Sequence, residues 1–213
     1  VLLLGLIYFS FQIYCDFSGY SDIAIGTSKL FGFELMSNFK FPYFSRDIGE
    51  FWRRWHISLS TWFRDYLYIP LGGSKGGKWL SIRNIFIIFI VSGFWHGANW
   101  TFIAWGIIHA ILYIPLFLRG KNRQYTTTIV AENKWFPSLK ELFQMGSTFF
   151  FTMIAWVFFR SDSILDGLSY LSTIVFSFDI PLSSRANILL VISVIIIDWL
   201  MRQNEREVLT VYN

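Results

Sequence analysis

An all-α, polytopic membrane protein is the fold class this sequence predicts, and three observations predict it. Hydrophobic residues make up 54% of the chain and charged residues only 15%, with a mean hydropathy of +0.47, a balance outside the soluble range. The apolar residues also fall in long runs, and a helix needs roughly 20 of them to cross about 30 Å of hydrocarbon. Aromatic residues reach 21%, with 24 Phe, 10 Trp and 10 Tyr, as expected where rings anchor helices at the headgroup level. The single cysteine, Cys15, excludes an intrachain disulfide and a cysteine-based metal cluster. A net charge of +4 points to cytoplasmic loops of a membrane protein rather than to nucleic-acid binding.

The elements follow in order. Residues 1–14 (VLLLGLIYFSFQIY) read as the tail of a spanning helix. No initiator Met, basic n-region or small-residue cleavage site accompanies that run, so it is not a signal peptide. The sequence therefore reads as one membrane domain over 1–213, the C-terminal part of a longer chain. CDFSGYSD, with Asp16, Ser18, Gly19, Ser21 and Asp22, predicts an interruption, followed by a short helix capped by Ser21 or Asp22. Asp16 and Asp22 read as caps and packing groups before they read as substrate ligands.

Residues 40–83 hold eight basic and three acidic residues. Within them GEFWRRWHISLSTWFRDYLYIP predicts a single helix. Trp52, Trp55, Leu59, Trp62 and Tyr66 form one stripe, and Arg53, His56, Ser60 and Arg64 another. Asp47 with Glu50 resembles a capping box at its start, and Pro70 with Gly72 and Gly73 closes its end. A basic helix with a Trp-rich face should lie in the plane of the cytoplasmic interface. Residues 84–118 are too long for one span and predict a hairpin that enters from the cytoplasm and returns, with WHGAN (95–99) at its buried tip. Its first arm is short enough that spanning and re-entrant forms both stay open. The loop 121–140 reads as cytoplasmic, 142–159 as an outward span, 160–185 as an outside loop and 186–201 as a return. Arg202 and Arg206 anchor the tail inside.

His96 stands out chemically. An ionisable group in hydrocarbon is costly unless it faces a cavity or a partner, so it is a functional candidate by default. Burial keeps an imidazole neutral and able to accept a proton. Gly93 and Gly97 predict room beside it for a substrate, and Asn99 offers an amide. On periodicity alone His56 reads as an exposed interfacial histidine, and His109, within IIHAILY, as a satisfied structural one. Arg53, Arg54 and Arg64 read singly as positive-inside anchors and jointly as an attractor for an anionic donor. There is no GxxxxGK[ST] loop, no HExxH helix and no GxSxG elbow, which argues against a serine hydrolase or metalloenzyme.

Three stretches carry a family resemblance: YCDFSGYSDIAIG (14–26), FPYFSRDIGEFWRRWHISLSTWFRDYLYIPLGG (41–73) and SGFWHGANWTFIAWG (92–106). Together they resemble the membrane-bound O-acyltransferases, in the bacterial branch with the alginate O-acetylation membrane subunit and the teichoic-acid D-alanyl transfer protein. Residues 119–213 match only as generic spans. The resemblance implies a helical bundle around a funnel through the bilayer of the inner (cytoplasmic) membrane. It implies His96 as the catalytic histidine and reverses the reading of His56, making it a second functional histidine. Substrate contacts are expected from Asn99, Trp95, Arg53 and Arg54, with no metal. The implied donor is an acyl thioester, acetyl-coenzyme A or an acyl carrier, used as substrate with no bound cofactor.

The implied acceptor is an extracytoplasmic polysaccharide such as alginate, reached with a periplasmic or extracellular partner protein. D-alanyl transfer toward teichoic acid is the second expectation. Two readings from other classes stand beside it: a proton-coupled transporter in which His96 relays protons, and a non-catalytic scaffold of a polysaccharide-export complex.

Overall fold

The computed structural model describes residues 2–176 and 187–204, and among them the regular structure is helical. Four helices are long and apolar enough to cross a membrane: α1 (Leu2–Leu30), α4 (Lys78–His96), α5 (Trp100–Leu118) and α6 (Leu139–Arg160). Between and after them lie α2 (Ile48–Arg54), α3 (Ile57–Phe63), α7 (Ile164–Phe176) and α8 (Ile188–Met201).

α1 corrects the predicted interruption, because it runs unbroken through Asp16, Ser18, Gly19, Ser21 and Asp22. Serine and aspartate stop helices in water by competing for backbone groups. In an apolar medium every backbone group needs an intrahelical partner, so the helix persists. Ser10 bonds back to the Leu6 carbonyl at 2.9 Å. Leu6, Ser10, Tyr14, Ser18, Ser21 and Ile25 make the buried stripe, a helical repeat of three and four.

The predicted basic helix is also corrected. It breaks at Trp55–His56 into α2 and α3, and a π-type turn follows at Arg64–Tyr68. Much of its apolar side packs inside the protein: Ile48, Phe51, Trp55 and Phe63 are buried, while Trp62 and Tyr66 alone of the stripe stay largely exposed. Asp47 caps α2, accepting from the Glu50 amide at 2.7 Å. The other half of the box is diverted, because the Glu50 carboxylate accepts from the Arg46 amide at 2.7 Å and from both the Arg46 and Arg54 guanidinium groups. The close at the far end is as predicted, with Gly72 and Gly73 at φ 98° and 53°.

The hairpin is present, with α4 and α5 as its arms. α4 begins at Lys78, so the first arm has 19 residues, about 28 Å of helix, long enough to span rather than only re-enter. The arms touch through glycine on both sides. A Cβ on Gly93 would collide with the Phe102 carbonyl, and one on Gly106 with the Phe89 carbonyl. Such backbone-to-backbone contact is how small residues hold helices together in lipid. The expected outside loop is partly helical, since α7 occupies 164–176; residues 177–186 and Arg206 lie outside the described residues. α8 returns to meet α1, where Tyr14 donates to Asp198 at 2.8 Å. Arg202 is buried and donates to the carbonyls of Val130, Ala131, Lys134 and Trp199. The tail is thus tied to the loop 121–140, as the predicted shared side requires. At the centre Trp55, Trp105, Trp156, Phe51, Phe39 and Tyr14 form one aromatic core.

Candidate functional site

A cavity of about 710 Å³ opens among α2, α3, α4, α5 and the loop at 122–126. Lys40, Arg53, Arg54, Arg64 and Arg123 line it, and no carboxylate does. Two of these charges are already matched, Arg54 by Glu50 at 3.1 Å and Arg64 by Asp65 at 2.7 Å. Arg53 ties α2 to the loop, donating to the Asn122 carbonyl at 2.8 Å and the Tyr125 carbonyl at 3.2 Å. Its Nε, though buried, has no partner. The cavity therefore presents a positive field in a low-dielectric wall, which concentrates anions. Farther in, Ile57, Ile88, Phe89 and Ser92 line it. Ser92 sits one helical turn before His96 on the same face of α4.

His96 ends α4 and is not itself among the cavity-lining residues. Its ring packs on Trp95 at 4.9 Å, Trp105 at 5.1 Å and Phe159 at 4.9 Å between centroids. His56 also approaches Trp95, its ring 6.1 Å from that ring and 4.6 Å from Phe17. The rings of His96 and His56 thus both pack against Trp95. Burial, with the neighbouring His96 as a smaller cause, lowers the His56 pKa to about 4, so this imidazole is neutral at pH 7.

His56 has φ 44° and ψ 57°, a left-handed conformation uncommon outside glycine, though asparagine, aspartate and histidine adopt it more readily than other residues. Asn38 pins the turn. Its carbonyl accepts from Ile57 N at 3.0 Å, its Oδ1 accepts from Ser58 N and Ser58 Oγ, and its Nδ2 donates to Ser21 Oγ on α1. Backbone strain so determined by its surroundings is a common mark of functional positions.

Other predicted residues fall less simply. Asn99 spends its amide on structure, capping α5 through Thr101 N at 3.2 Å and donating to the Asp162 carbonyl at 3.0 Å. Trp95 is 58% exposed. Gly93 and Gly97 do not leave room for a substrate. Phe102 fills the space beside both, its backbone at Gly93 and its ring at Gly97. His109 is the sharpest correction. It is fully buried, yet neither ring nitrogen has a hydrogen-bond partner. Sequence reading also missed Ser92 and the Trp52–Trp105 pair; the spacing of Ser92 to His96 and of Trp105 to His109 was the available signal.

The class of protein is shown by comparison with known sequences. The family model of the membrane-bound O-acyltransferases matches residues 2–119, and the chain belongs to that family. Among individual proteins it is 46% identical over 162 residues to the "Probable alginate O-acetylase AlgI" of Pseudomonas syringae pv. tomato, covering 76% of this chain and 29% of that protein. It is 42% identical over 167 residues to the peptidoglycan O-acetyltransferase of Helicobacter pylori, covering 78% and 30%. With the teichoic acid D-alanyltransferase of Streptococcus thermophilus it shares 38% over 152 residues, covering 64% and 37%. The chain spans roughly a third of the length of these relatives.

Proposed function

We propose that this protein is a multi-pass O-acyltransferase of the inner (cytoplasmic) membrane that carries an acetyl group from a thioester donor to hydroxyls of a cell-envelope polysaccharide such as alginate. One observation carries the reading: a cation-lined, carboxylate-free cavity leads inward to Ser92, one turn from His96. Coenzyme A and phosphopantetheine carriers are anionic, so such a mouth attracts them. The acceptor hydroxyl reaches the other side of Trp95, delivered with a partner protein. His96 takes its proton while the oxygen attacks the thioester carbonyl. The C–S bond breaks, the ester forms, and the proton passes from His96 to the departing thiolate. A thioester is already activated, so the step needs no metal and no protein nucleophile. His56, neutral at pH 7, supplies a second hydrogen-bonding ring for the acceptor.

Acetyl stands ahead of D-alanyl because the O-acetylating relatives are the more similar, at 46% and 42% against 38%. The test compares the intact wild-type protein with His96→Ala and His96→Gln at matched membrane expression. Ester-linked groups on envelope polysaccharides are then quantified by mass spectrometry. Loss in both variants is expected, and the mass of the missing group separates acetyl from D-alanyl. Unchanged ester content makes His96 structural and puts a transporter or an export-complex scaffold ahead.

A further inference from the structure

His109 lies directly behind the cavity wall. Trp52 and Phe89 line the cavity, and the His109 ring meets them at 4.9 and 6.1 Å. On its other side Trp105 is 5.0 Å away, and Trp105 in turn touches His96 at 5.1 Å. Ring by ring, this is a direct line from the donor cavity to the catalytic histidine. It is also a line of unsatisfied polar atoms. Trp52 Nε1, Trp105 Nε1 and both His109 nitrogens are buried without a hydrogen-bond partner. Leaving such groups unpaired is expensive, and native proteins seldom do it without a use. An aromatic or aliphatic residue at 109 would fill the same space at no such cost.

We propose that His109, with the Trp52 and Trp105 indoles, forms an inner subsite for the amide-bearing arm of the acyl thioester, entered from the cavity when Trp52 rotates. The inference rests on the acyl-transfer reading above. The chemistry matches group for group. Two indole N–H groups donate to amide carbonyls, and a neutral imidazole has one donor and one acceptor for an amide. An acyl chain or a bare lipid tail would leave all of them unpaired. The basic mouth then holds the anionic end of the donor while this subsite guides the thioester to His96.

The experiment uses the purified intact protein with a polysaccharide acceptor and follows thiol release. Two donors are compared: acetyl-coenzyme A, and the acetyl thioester of 2-mercaptoethanol, which has no amide. His109→Phe should raise the KM for acetyl-coenzyme A about tenfold, the worth of one buried hydrogen bond. It should leave the amide-free donor unaffected and the unfolding temperature unchanged or higher. His109→Asn, which keeps a donor and an acceptor, should recover part of that KM. An unchanged KM, or equal losses on both donors with a lower unfolding temperature, makes His109 structural and overturns the subsite. A His96→Ala protein that releases thiol from both donors as fast as the wild type overturns the acyl-transfer reading and this inference with it.

Discussion

Adding one methyl group at Gly106 should disable a site that Gly106 does not touch. The built Cβ would lie 2.9 Å from the Phe89 carbonyl carbon and closer still to its oxygen. The oxygen, at 2.2 Å, is the limiting contact; ordinary contacts to a carbon are about 3.4 Å or more, so α5 must withdraw from α4 by about 1 Å. The obstacle is backbone on a packed helix, so no rotamer change relieves it. Overpacking of this kind costs roughly 1–3 kcal/mol. His96 is carried at the end of α4 and packed against Trp105 of α5, so the displacement reaches the reacting groups. A misplacement approaching 1 Å costs on the order of 100-fold in rate. Gly106→Ala should therefore lower polysaccharide acetylation by one to two orders of magnitude, with a reduced unfolding temperature in detergent. Gly146→Ala on α6 is the control, since nothing lies within 4 Å of its Cβ position. It should gain up to about 1 kcal/mol from the better helix former. Full activity and an unshifted unfolding temperature in Gly106→Ala would refute the idea that this crossing sets the position of His96.

Two further outcomes follow from the same geometry. Glu50→Ala strands the buried Arg46 and Arg54 guanidinium groups, and losing one partner of a buried ion network costs about 3–5 kcal/mol; greatly reduced membrane accumulation of the variant checks it. For His56 the folded pKa is about 4 and the unfolded value near 6.5. Below pH 6.5 the unfolded chain binds the proton that the folded one refuses, so His56 makes stability fall between pH 6.5 and 4 and not above. Relative to His56→Gln, wild type should lose stability as pH falls from 6.5 to 4, whereas a constant separation of the two melting temperatures from pH 7 to 4 would contradict the assignment.

The parts of the fold that sequence pattern exposed were those where local chemistry decides. Gly97 and Asn99 punctuate an otherwise apolar run, and the turn between α4 and α5 is there. The basic loop and cation-lined cavity likewise follow from charge that no bilayer would accept. Solvent decided against the predicted break in α1, because serine and aspartate lose their power to stop a helix where the backbone has no water to turn to. The break at His56 was hidden for the opposite reason. The aromatic period continues through it, and the turn is imposed by Asn38 from a different segment. Gly93 and Gly97 looked like vacant space because a missing side chain says nothing about what moves in to fill it; Phe102 does. His109 has no motif in its neighbours, and only the three-dimensional surroundings show that its nitrogens go unanswered.

The bond between Tyr14 and Asp198 joins α1 to α8 across 184 residues of sequence. At about 5–20 residues per second, synthesis separates the two partners by roughly 10–40 s. Until α8 has been made, α1 packs without this bond. The order of translation thus builds a late checkpoint into assembly. Closure of α1 against α8 therefore waits until most of the chain has been made.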